Sequence, residues 1–316
     1  MDLYESKSVK PMLIGAEGEP FDSDEYLYEL KLDGERCVAF IDVTGTELFN
    51  KRGMKMLPKV PELSDIHAHI SKRCILDGEL IVIKDGKPSF PDIQRRSLMS
   101  NSMKIEIAAK QYPATFVSFD ILYCDDHSVM QLPLWERKAL LKSIVKDESP
   151  HFAVSRVVEK DGKAFFALAK EQELEGIVAK RRDSLYYPGK RTKDWIKIKY
   201  MQDDDFVVLG YIPKRNGMTC IILGRYSGGS LVYKGHVTLG VSGEAFGKIS
   251  NTPKSEGPVC EIPDGNENAV WIRPTQVCKV KYMTRTAKGG MRQPVFAGLR
   301  EDKRPEECRE TIRCKG

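Results

Sequence analysis

The stretch Lys31-Leu32-Asp33-Gly34-Glu35-Arg36 directly follows the apolar-alternating segment Tyr26 to Leu30. That segment predicts a strand, and the Asp-Gly pair predicts a loop after it. A primary amine beside a carboxylate, a glycine and an arginine is suited to forming a covalent bond with a nucleotide phosphate. Lys-x-Asp-Gly should occur by chance in roughly one chain in ten or twenty of this length, so further support must come from the rest of the chain.

The composition is that of a soluble globular protein. The chain has 316 residues, of which 41% are hydrophobic, and this is enough for two domains with separate cores. It has no apolar run long enough to cross a bilayer, and Met1 to Val9 lacks the apolar core of a signal peptide. The eight cysteines never approach Cys-x-x-Cys spacing, which favours reduced thiols in a cytosolic protein over a zinc site or a disulfide framework.

The residue pattern divides the chain into two regions. Residues 1–203 mix predicted strands with helical spacing after Pro133 and in Lys163 to Leu174, which indicates an α+β domain. The acidic triplet Asp203-Asp204-Asp205 marks the expected boundary and hinge. Residues 204–316 contain short predicted strands separated by turns such as Gly228-Gly229, as in an all-β oligonucleotide-binding (OB) fold.

Charge is distributed unevenly between these regions. Residues 1–204 carry 32 Lys and Arg against 34 Asp and Glu, a net charge of −2, whereas residues 205–316 carry 18 against 11, a net charge of +7. A basic C-terminal region suits a module that binds a phosphate backbone, although a solvated basic surface would have the same composition.

Several other residues could support chemistry at Lys31. A lysine must lose its proton to act as a nucleophile, so nearby cations such as Arg36 and the pair Lys197 and Lys199 would help. Three acidic residues border apolar strands and could serve Mg²⁺ together with phosphate oxygens, and Phe119 could stack on a base. These acidic residues are Asp33, Glu79 and Glu175. The chain has no Gly-x-x-x-x-Gly-Lys-[Ser/Thr] loop, which argues against a P-loop NTPase.

In order along the chain, these segments resemble the motifs of the covalent nucleotidyltransferases. The segments similar to motifs I, III, IV, V and VI are Lys31-Leu32-Asp33-Gly34-Glu35-Arg36, Phe119-Asp120-Ile121-Leu122-Tyr123, Glu175-Gly176-Ile177-Val178-Ala179-Lys180, Trp195-Ile196-Lys197-Ile198-Lys199 and Arg300-Glu301-Asp302-Lys303. Residues 175–195 are most similar to the ligase module of prokaryotic nonhomologous end-joining DNA ligases. The resemblance implies a nucleotidyltransferase (adenylation) domain followed by an OB-fold domain.

The resemblance also implies a role for each matching residue. Lys31 would attack the α-phosphate of ATP and carry AMP, with Lys197 and Lys199 on that phosphate and Asp33 and Glu175 serving Mg²⁺ or Mn²⁺. The other implied nucleotide contacts are Glu29, Leu30, Arg36, Glu79 and Phe119. Arg300, Asp302 and Lys303, which belong to the second domain, would orient the pyrophosphate. This domain would close for the first step and then move to DNA. Motif Ia corresponds loosely to Asn50-Lys51-Arg52-Gly53, so either Lys51 or Arg52 would contact the nick phosphate.

The implied function is ATP-dependent sealing of 5′-phosphate and 3′-hydroxyl breaks in nicked or broken duplex DNA, in repair and recombination by end joining. We expect a monomeric two-domain enzyme in the cytoplasm of a prokaryote, associated with the nucleoid and not with membranes. A Ku-like end-binding protein and a separate polymerase and phosphoesterase are the expected partners. An RNA ligase and an mRNA capping guanylyltransferase share several of these motifs and remain alternatives, as does, less favourably, a noncatalytic nucleic-acid-binding module.

Overall fold

The alternating segment before Lys31 forms a strand in a five-stranded sheet of the first of two structural units. The computed structural model describes residues 2–213, 219–283, 285–286 and 290–310. Its two units are Met1–Tyr200 and Met201–Gly316. The chain therefore divides just before the acidic triplet that we predicted as the boundary, and that triplet lies inside the first strand of the second unit.

Residues 2–200, the described part of the first unit, form five α-helices and twelve strands. In chain order they are α1 (Leu3–Ser6), β1 (Leu13–Glu17), β2 (Ser23–Leu30), β3 (Glu35–Asp42), β4 (Gly45–Asn50), β5 (Cys74–Lys84), β6 (Lys87–Pro88), α2 (Phe90–Leu98), α3 (Ser102–Gln111), β7 (Ala114–Cys124), β8 (His127–Ser128), α4 (Leu134–Ile144), β9 (Phe152–Val154), β10 (Val158–Lys160), α5 (Gly162–Glu171), β11 (Gly176–Arg181) and β12 (Arg191–Lys199). A 3₁₀ helix, Pro61–His69, connects β4 to β5.

Two sheets face each other in this unit. One has the order β1-β12-β11-β2-β10, and the other has the order β4-β3-β5-β7-β8, with β6 paired to β5 and β9 to β7. Their facing sides share a core that includes Val38, Ile75, Phe119, Val178 and Trp195. Helices α2 and α4 pack on the outer face of the larger sheet, and α5 packs on the outer face of the smaller one.

Side-chain alternation on β2 decides which of its residues enter the space between the sheets. Tyr28 is fully buried in the cluster beneath α5, and Leu30 packs against that cluster. Because successive side chains on a strand point to opposite faces, Glu29 and the residue after the strand, Lys31, turn toward the larger sheet. The strand periodicity thus places the predicted nucleophile on the side of the smaller sheet that faces the larger one.

The second unit is an OB fold built on an antiparallel sheet. Its elements are β13 (Gln202–Pro213), β14 (Thr219–Ser227), β15 (Ser230–Val237), α6 (Gly243–Ser250), β16 (Val270–Trp271), β17 (Val277–Tyr282), β18 (Val295–Leu299) and a short 3₁₀ helix, Pro305–Glu307. The strand order is β15-β14-β13-β17-β18, with β16 paired to β13. A parallel bridge between Leu239 and Val295 joins the segment after β15 to β18 and curls the sheet toward closure.

Two further expectations concern the thiols and membrane association. Seven cysteines in the described ranges are free thiols, and Cys314 lies outside those ranges. Among the helices of the described residues, none combines the length and apolar character that a bilayer crossing requires.

Candidate active site

Lys31 lies where β2 ends beside β11, and both backbone and side chain hold it there. Its amide N–H donates to the carbonyl of Gly176 at 2.9 Å. Its Nζ atom is 2.7 Å from Oε1 of Glu175, and the Lys31 side chain keeps 21% exposure while Glu175 keeps 5%. The amine is therefore oriented by a largely buried carboxylate and remains accessible to a ligand.

The glycines of both flanking motifs are needed for this close approach. A Cβ atom on Gly34 would lie 2.2 Å from the carbonyl oxygen of Leu80, and one on Gly176 would lie 2.1 Å from that of Ile198. Gly176 also has a φ of +136°, which disfavours other residues. The Lys-x-Asp-Gly and Glu-Gly sequences thus let two loops pack directly against neighbouring backbone.

Arg36 is fixed by a network that the sequence did not indicate. Its Nε and Nη2 atoms donate to Asp77 at 2.6 and 2.5 Å, and Asp77 is fully buried. The Tyr186 hydroxyl donates to the same carboxylate at 2.5 Å and accepts the amide N–H of Met12 at 2.8 Å. A bidentate ion pair with an added phenol donor is a strong, directional arrangement, so Arg36 is preorganised.

Phe119, which we predicted to stack on a base, is buried with 8% exposure. The guanidinium carbon of Arg36 lies 4.4 Å from the ring centre, and Nζ of Lys180 lies 4.2 Å from it. Trp195 approaches edge-on at 6.2 Å. A base can stack on Phe119 only if one of these cations shifts.

Glu29 is a buried carboxylate that lies next to two lysines, Lys138 on α4 and Lys180 at the end of motif IV. Nζ of Lys138 lies 2.6 Å and Nζ of Lys180 lies 2.9 Å from Glu29 Oε1. Burial favours the neutral acid, but the two lysines outweigh it and lower the pKa of Glu29. Burial lowers the pKa of Lys180 to about 8, against the pull of Glu29. Leu30 points toward α5, so a nucleotide contact at Leu30 would involve its backbone.

Glu79 lies opposite Arg36 on the neighbouring strand β5 and keeps some solvent exposure. Desolvation raises its pKa to about 8, with repulsion from Asp77 and Glu175 adding to the effect and attraction from Arg36 and Lys31 opposing it. At neutral pH the group is therefore mostly a carboxylic acid, which can donate a hydrogen bond.

This raised pKa predicts a pH-dependent stability of the ligand-free protein. Below the ordinary value of 4.5 the carboxyl is protonated both folded and unfolded, and as pH rises through about 8 its contribution to stability is lost. We expect the unfolding free energy of wild type to fall relative to Glu79→Gln by up to about 1 kcal/mol per pH unit between pH 5 and 8. Urea titrations at several pH values measure this difference. The exposed Glu106→Gln control should track wild type, and parallel curves for wild type and Glu79→Gln would contradict the prediction.

Lys197 and Lys199 project from β12 beside Lys31. Glu17, at the end of β1, lies between them, with Oε2 at 2.9 Å from Nζ of Lys197 and 3.9 Å from Nζ of Lys199. Burial lowers the pKa of Lys199, and repulsion from Lys197 and Lys31 adds to this against the attraction of Glu17 and Glu175. Glu17 therefore joins Lys31, Glu175, Lys197 and Lys199 as a further charged member of the cluster, and it precedes every motif by which the sequence could have identified it.

The acidic groups fit a metal held mainly by a substrate. Glu175 faces Lys31, and Asp33 lies in the loop between β2 and β3. The described part of the chain contains no cluster of three or more His, Cys, Asp or Glu side chains that could enclose an ion. Mg²⁺ commonly takes one or two carboxylates together with phosphate and water oxygens, so this donor set suits a metal that arrives with a nucleotide.

The loop after β4 presents Lys51 and Arg52 to solvent. Asn50 organises this turn, because its side-chain oxygen accepts the amide N–H groups of Arg52 and Met54, each at 3.0 Å. Its side-chain amide donates to Glu35 at 2.8 Å. Both basic side chains are thus exposed on an ordered turn.

Within the second unit, Arg300 and Lys303 share the carboxylate of Asp205, the last residue of the acidic triplet. Arg300 Nη1 donates to Asp205 at 3.2 Å, and Lys303 Nζ donates to it at 2.7 Å. Asp302 accepts two hydrogen bonds from Arg300, each at 2.7 Å. The acidic triplet lies inside the strand because its carboxylates are neutralised there: Asp203 pairs with Lys279, and Asp204 pairs with Arg225 and Arg285.

Comparison with known protein families gives a match in each unit. The model described as "ATP dependent DNA ligase domain" matches residues 14–199, and the one described as "ATP dependent DNA ligase C terminal region" matches residues 214–303. The chain belongs to the ATP-dependent DNA ligase family. The resemblance that its motifs suggested is therefore confirmed, as is the adenylation domain followed by an OB fold.

Individual ligases resemble the chain over most of its length. It is 32% identical over 299 residues to the multifunctional non-homologous end joining protein LigD of Pseudomonas aeruginosa, covering 90% of this chain and 34% of that protein. It is 30% identical over 293 residues to the SPbeta prophage-derived DNA ligase-like protein LigB of Bacillus subtilis, covering 92% and 99%. The chain thus spans about a third of the length of the LigD relatives that it matches.

A solved structure extends the comparison with these ligases to the fold. The mycobacterial DNA ligase D complexed with ATP and MES superposes with a TM-score of 0.55 at 25% identity, covering 96% of this chain and 99% of that one. Another, from a study of DNA binding with a minimal scaffold in Lig E DNA ligases, gives a TM-score of 0.62 at 18% identity and supports the fold alone.

Proposed function

We propose that this ligase joins a 5′-phosphate to a 3′-hydroxyl in duplex DNA through a lysyl-AMP and a DNA-adenylate. The observation that carries the proposal is the cluster around Lys31: an accessible amine 2.7 Å from Glu175, with Lys197 and Lys199 on β12, the strand that pairs with β11. An amine among fixed cations is suited to attack on a phosphate, because the cations stabilise the charge that develops on the leaving group.

In the first step, Lys31 Nζ forms a bond to the α-phosphorus of ATP while the bond to the β-phosphate oxygen breaks and pyrophosphate leaves. Glu175, 2.7 Å away, can take up the ammonium proton that must be lost before attack. Lys197 and Lys199 hold the α-phosphate, and Arg300, Asp302 and Lys303 orient the pyrophosphate. A divalent cation, Mg²⁺ or Mn²⁺, would bind near Asp33 and Glu175 and neutralise phosphate charge when present.

Nucleotide selection depends on the groups behind Lys31. Glu29 and the backbone at Leu30 would contact the nucleotide, Arg36 and Glu79 would contact the ribose, and Phe119 would receive the base once Arg36 or Lys180 shifts. The carboxylate of the buried Glu29 would accept hydrogen bonds from a purine, and the ammonium groups of Lys138 and Lys180 would donate to it.

In the second and third steps the DNA termini react. An oxygen of the 5′-phosphate attacks the lysyl-AMP phosphorus and the Lys31 N–P bond breaks, after which the 3′-hydroxyl attacks the DNA phosphate and AMP leaves. Lys51 or Arg52, exposed on the turn after β4, would grip the nick phosphate. Because such contacts are electrostatic, DNA affinity should fall steeply with salt.

Similarity to LigD supports a role in joining double-strand breaks. The chain matches about a third of each LigD relative, so the remaining activities of end joining would come from other regions or other polypeptides. We propose that a Ku-like end-binding protein recruits the ligase as a monomer to chromosomal DNA of the nucleoid.

Labelled-nucleotide transfer tests this function. The protein is incubated with ATP or GTP labelled at the α-phosphate and Mg²⁺ or Mn²⁺, and a nicked duplex is then added. We expect ATP, not GTP, to label the protein and the label to leave as AMP while DNA is sealed. Labelling by GTP would indicate a capping-type guanylyltransferase, sealing of nicked RNA alone would indicate an RNA ligase, and absence of any adduct would contradict covalent catalysis.

A further inference from the structure

Glu17 is held in the cation cluster by strand pairing. Strand β1 runs parallel to β12 at the edge of the smaller sheet, with Glu17 in register with Lys197. The amide N–H of the next residue, Gly18, donates to the carbonyl of Lys197 at 3.2 Å. Gly15 allows the two strands to meet, because a Cβ atom there would lie 2.1 Å from the carbonyl oxygen of Thr192. The backbone therefore fixes the position from which the Glu17 side chain reaches the lysines.

The carboxylate of Glu17 forms ion pairs with the ammonium groups of Lys197 and Lys199, which in the proposed reaction bind the α-phosphate of ATP. Oε2 lies 2.9 Å from Lys197 Nζ and 3.9 Å from Lys199 Nζ. Burial opposes its charge, but the hydrogen bond to Lys197 and the positive charges of Lys197, Lys199 and Lys31 together lower the pKa of Glu17. This carboxylate is therefore ionised at neutral pH, and it lies in the field of all three lysines.

We propose that Glu17 is an internal competitor of the nucleotide phosphates for Lys197 and Lys199. Because Glu17 pairs with Lys197 and Lys199, its negative charge offsets the mutual repulsion of these lysines and Lys31 when no nucleotide is bound. When ATP binds, the α-phosphate must displace Glu17 or share the lysines with it, and like-charge repulsion then opposes binding. This inference rests on the phosphate role proposed above for the two lysines.

The repulsion differs among the species that pass through the site. ATP and pyrophosphate carry more negative charge than the AMP group linked to Lys31, so Glu17 penalises them most. It should therefore weaken ATP binding somewhat, but it should also favour release of pyrophosphate and oppose the reverse attack on lysyl-AMP. Because the Glu17 side chain is 51% exposed, the effect is that of a partly solvated ion pair.

The test compares Glu17→Gln with wild type. The probes are α,β-methylene ATP, whose bridging bond cannot be cleaved, and pyrophosphate, with affinities measured by calorimetry in the presence of Mg²⁺. We expect Glu17→Gln to bind both about two- to fivefold more tightly and to lower KM for ATP in adenylylation by the same factor, with little change in kcat. Glu19→Gln, which removes an equal charge two residues beyond the strand, is the matched control and should behave as wild type.

A double-mutant cycle separates this inference from the proposed function. In a Lys197→Gln background, Glu17→Gln should raise analogue affinity by a smaller factor than it does in wild type, because only the more distant Lys199 is left for Glu17 to compete for. If Lys197→Gln alone leaves analogue affinity unchanged, the proposed phosphate role of Lys197 is wrong. If Lys197→Gln weakens binding but neither Glu17→Gln nor Glu17→Ala strengthens it, the competition by Glu17 is wrong while the proposed function stands.

Discussion

Lys31→Ala should lower formation of the covalent AMP adduct by at least about a thousandfold, because the variant lacks the atom that bonds to the phosphorus. The surrounding groups cannot substitute for it: the neighbouring lysines 197 and 199 are paired with Glu17, and Lys180 is buried against Glu29. Lys31→Arg should be equally inactive, since a guanidinium stays protonated and is a poor nucleophile. The measurement is the rate of label transfer from ATP labelled at the α-phosphate.

The same variant should retain the last chemical step. A nick that already carries AMP on its 5′-phosphate needs no lysyl adenylate, so Lys31→Ala should seal it at a rate within tenfold of wild type. Lys104→Ala, which removes an exposed lysine on α3, controls for a general effect of charge and should label normally. Normal adduct formation by Lys31→Ala would identify a different nucleophile, and loss of sealing on the adenylylated nick would instead indicate a damaged fold.

Local periodicity predicted the strand that leads to Lys31 and two of the helices. The strand predicted at Tyr26 to Leu30 is observed as β2, Ser23–Leu30, because its apolar side chains alternate. The helical spacing after Pro133 and in Lys163 to Leu174 corresponds to α4 and α5. β5 runs without a break from Cys74 to Lys84, although the polar stretch Asp77-Gly78-Glu79 lies in its middle. It continues because Arg36 and Tyr186 satisfy the buried Asp77 carboxylate, and those partners are distant in sequence.

The groups that hold the site in shape could not be predicted in the same way. Glu17 reaches Lys197 through a parallel pairing of strands about 180 residues apart, and no local pattern encodes such a register. Lys138 looks like an ordinary helical surface lysine, although it lies 2.6 Å from the buried Glu29. Motif order predicts which residues carry the chemistry, whereas long-range pairing determines which charges neutralise one another.

A second large effect should come from Arg137, a residue of α4 with no exposed surface. Its Nε and Nη2 atoms donate to Asp120 at 2.8 and 2.9 Å, and Asp120 is also fully buried. Its Nη1 atom donates to the carbonyls of Leu132 at 2.6 Å and Ser184 at 2.9 Å. One guanidinium thus joins β7, the start of α4 and the loop that leads to Tyr186.

We expect Arg137→Leu to lower the free energy of unfolding of the first unit by about 3–5 kcal/mol, because it leaves a buried carboxylate without a counter-ion and two carbonyls without donors. Urea unfolding followed by tryptophan fluorescence measures the change, since Trp135 and the buried Trp195 report on this unit. Arg156→Leu is the matched control: Arg156 pairs with Glu148 at a similar distance, 2.6 Å, but is 78% exposed, so its loss should cost less than about 1 kcal/mol.

The pair and the active site are connected through Tyr186. Arg137 holds Ser184, two residues before Tyr186, whose hydroxyl contacts the same Asp77 that orients Arg36. Arg137→Leu should therefore also slow adenylylation at temperatures where the protein is still folded, whereas Arg156→Leu should not. Restoring neutrality with Asp120→Leu in the Arg137→Leu background should recover part of the stability, because a well-packed apolar pair needs no counter-ion. Equal losses of stability for Arg137→Leu and Arg156→Leu would show that this buried ion pair does not hold β7 and the loop before Tyr186 together.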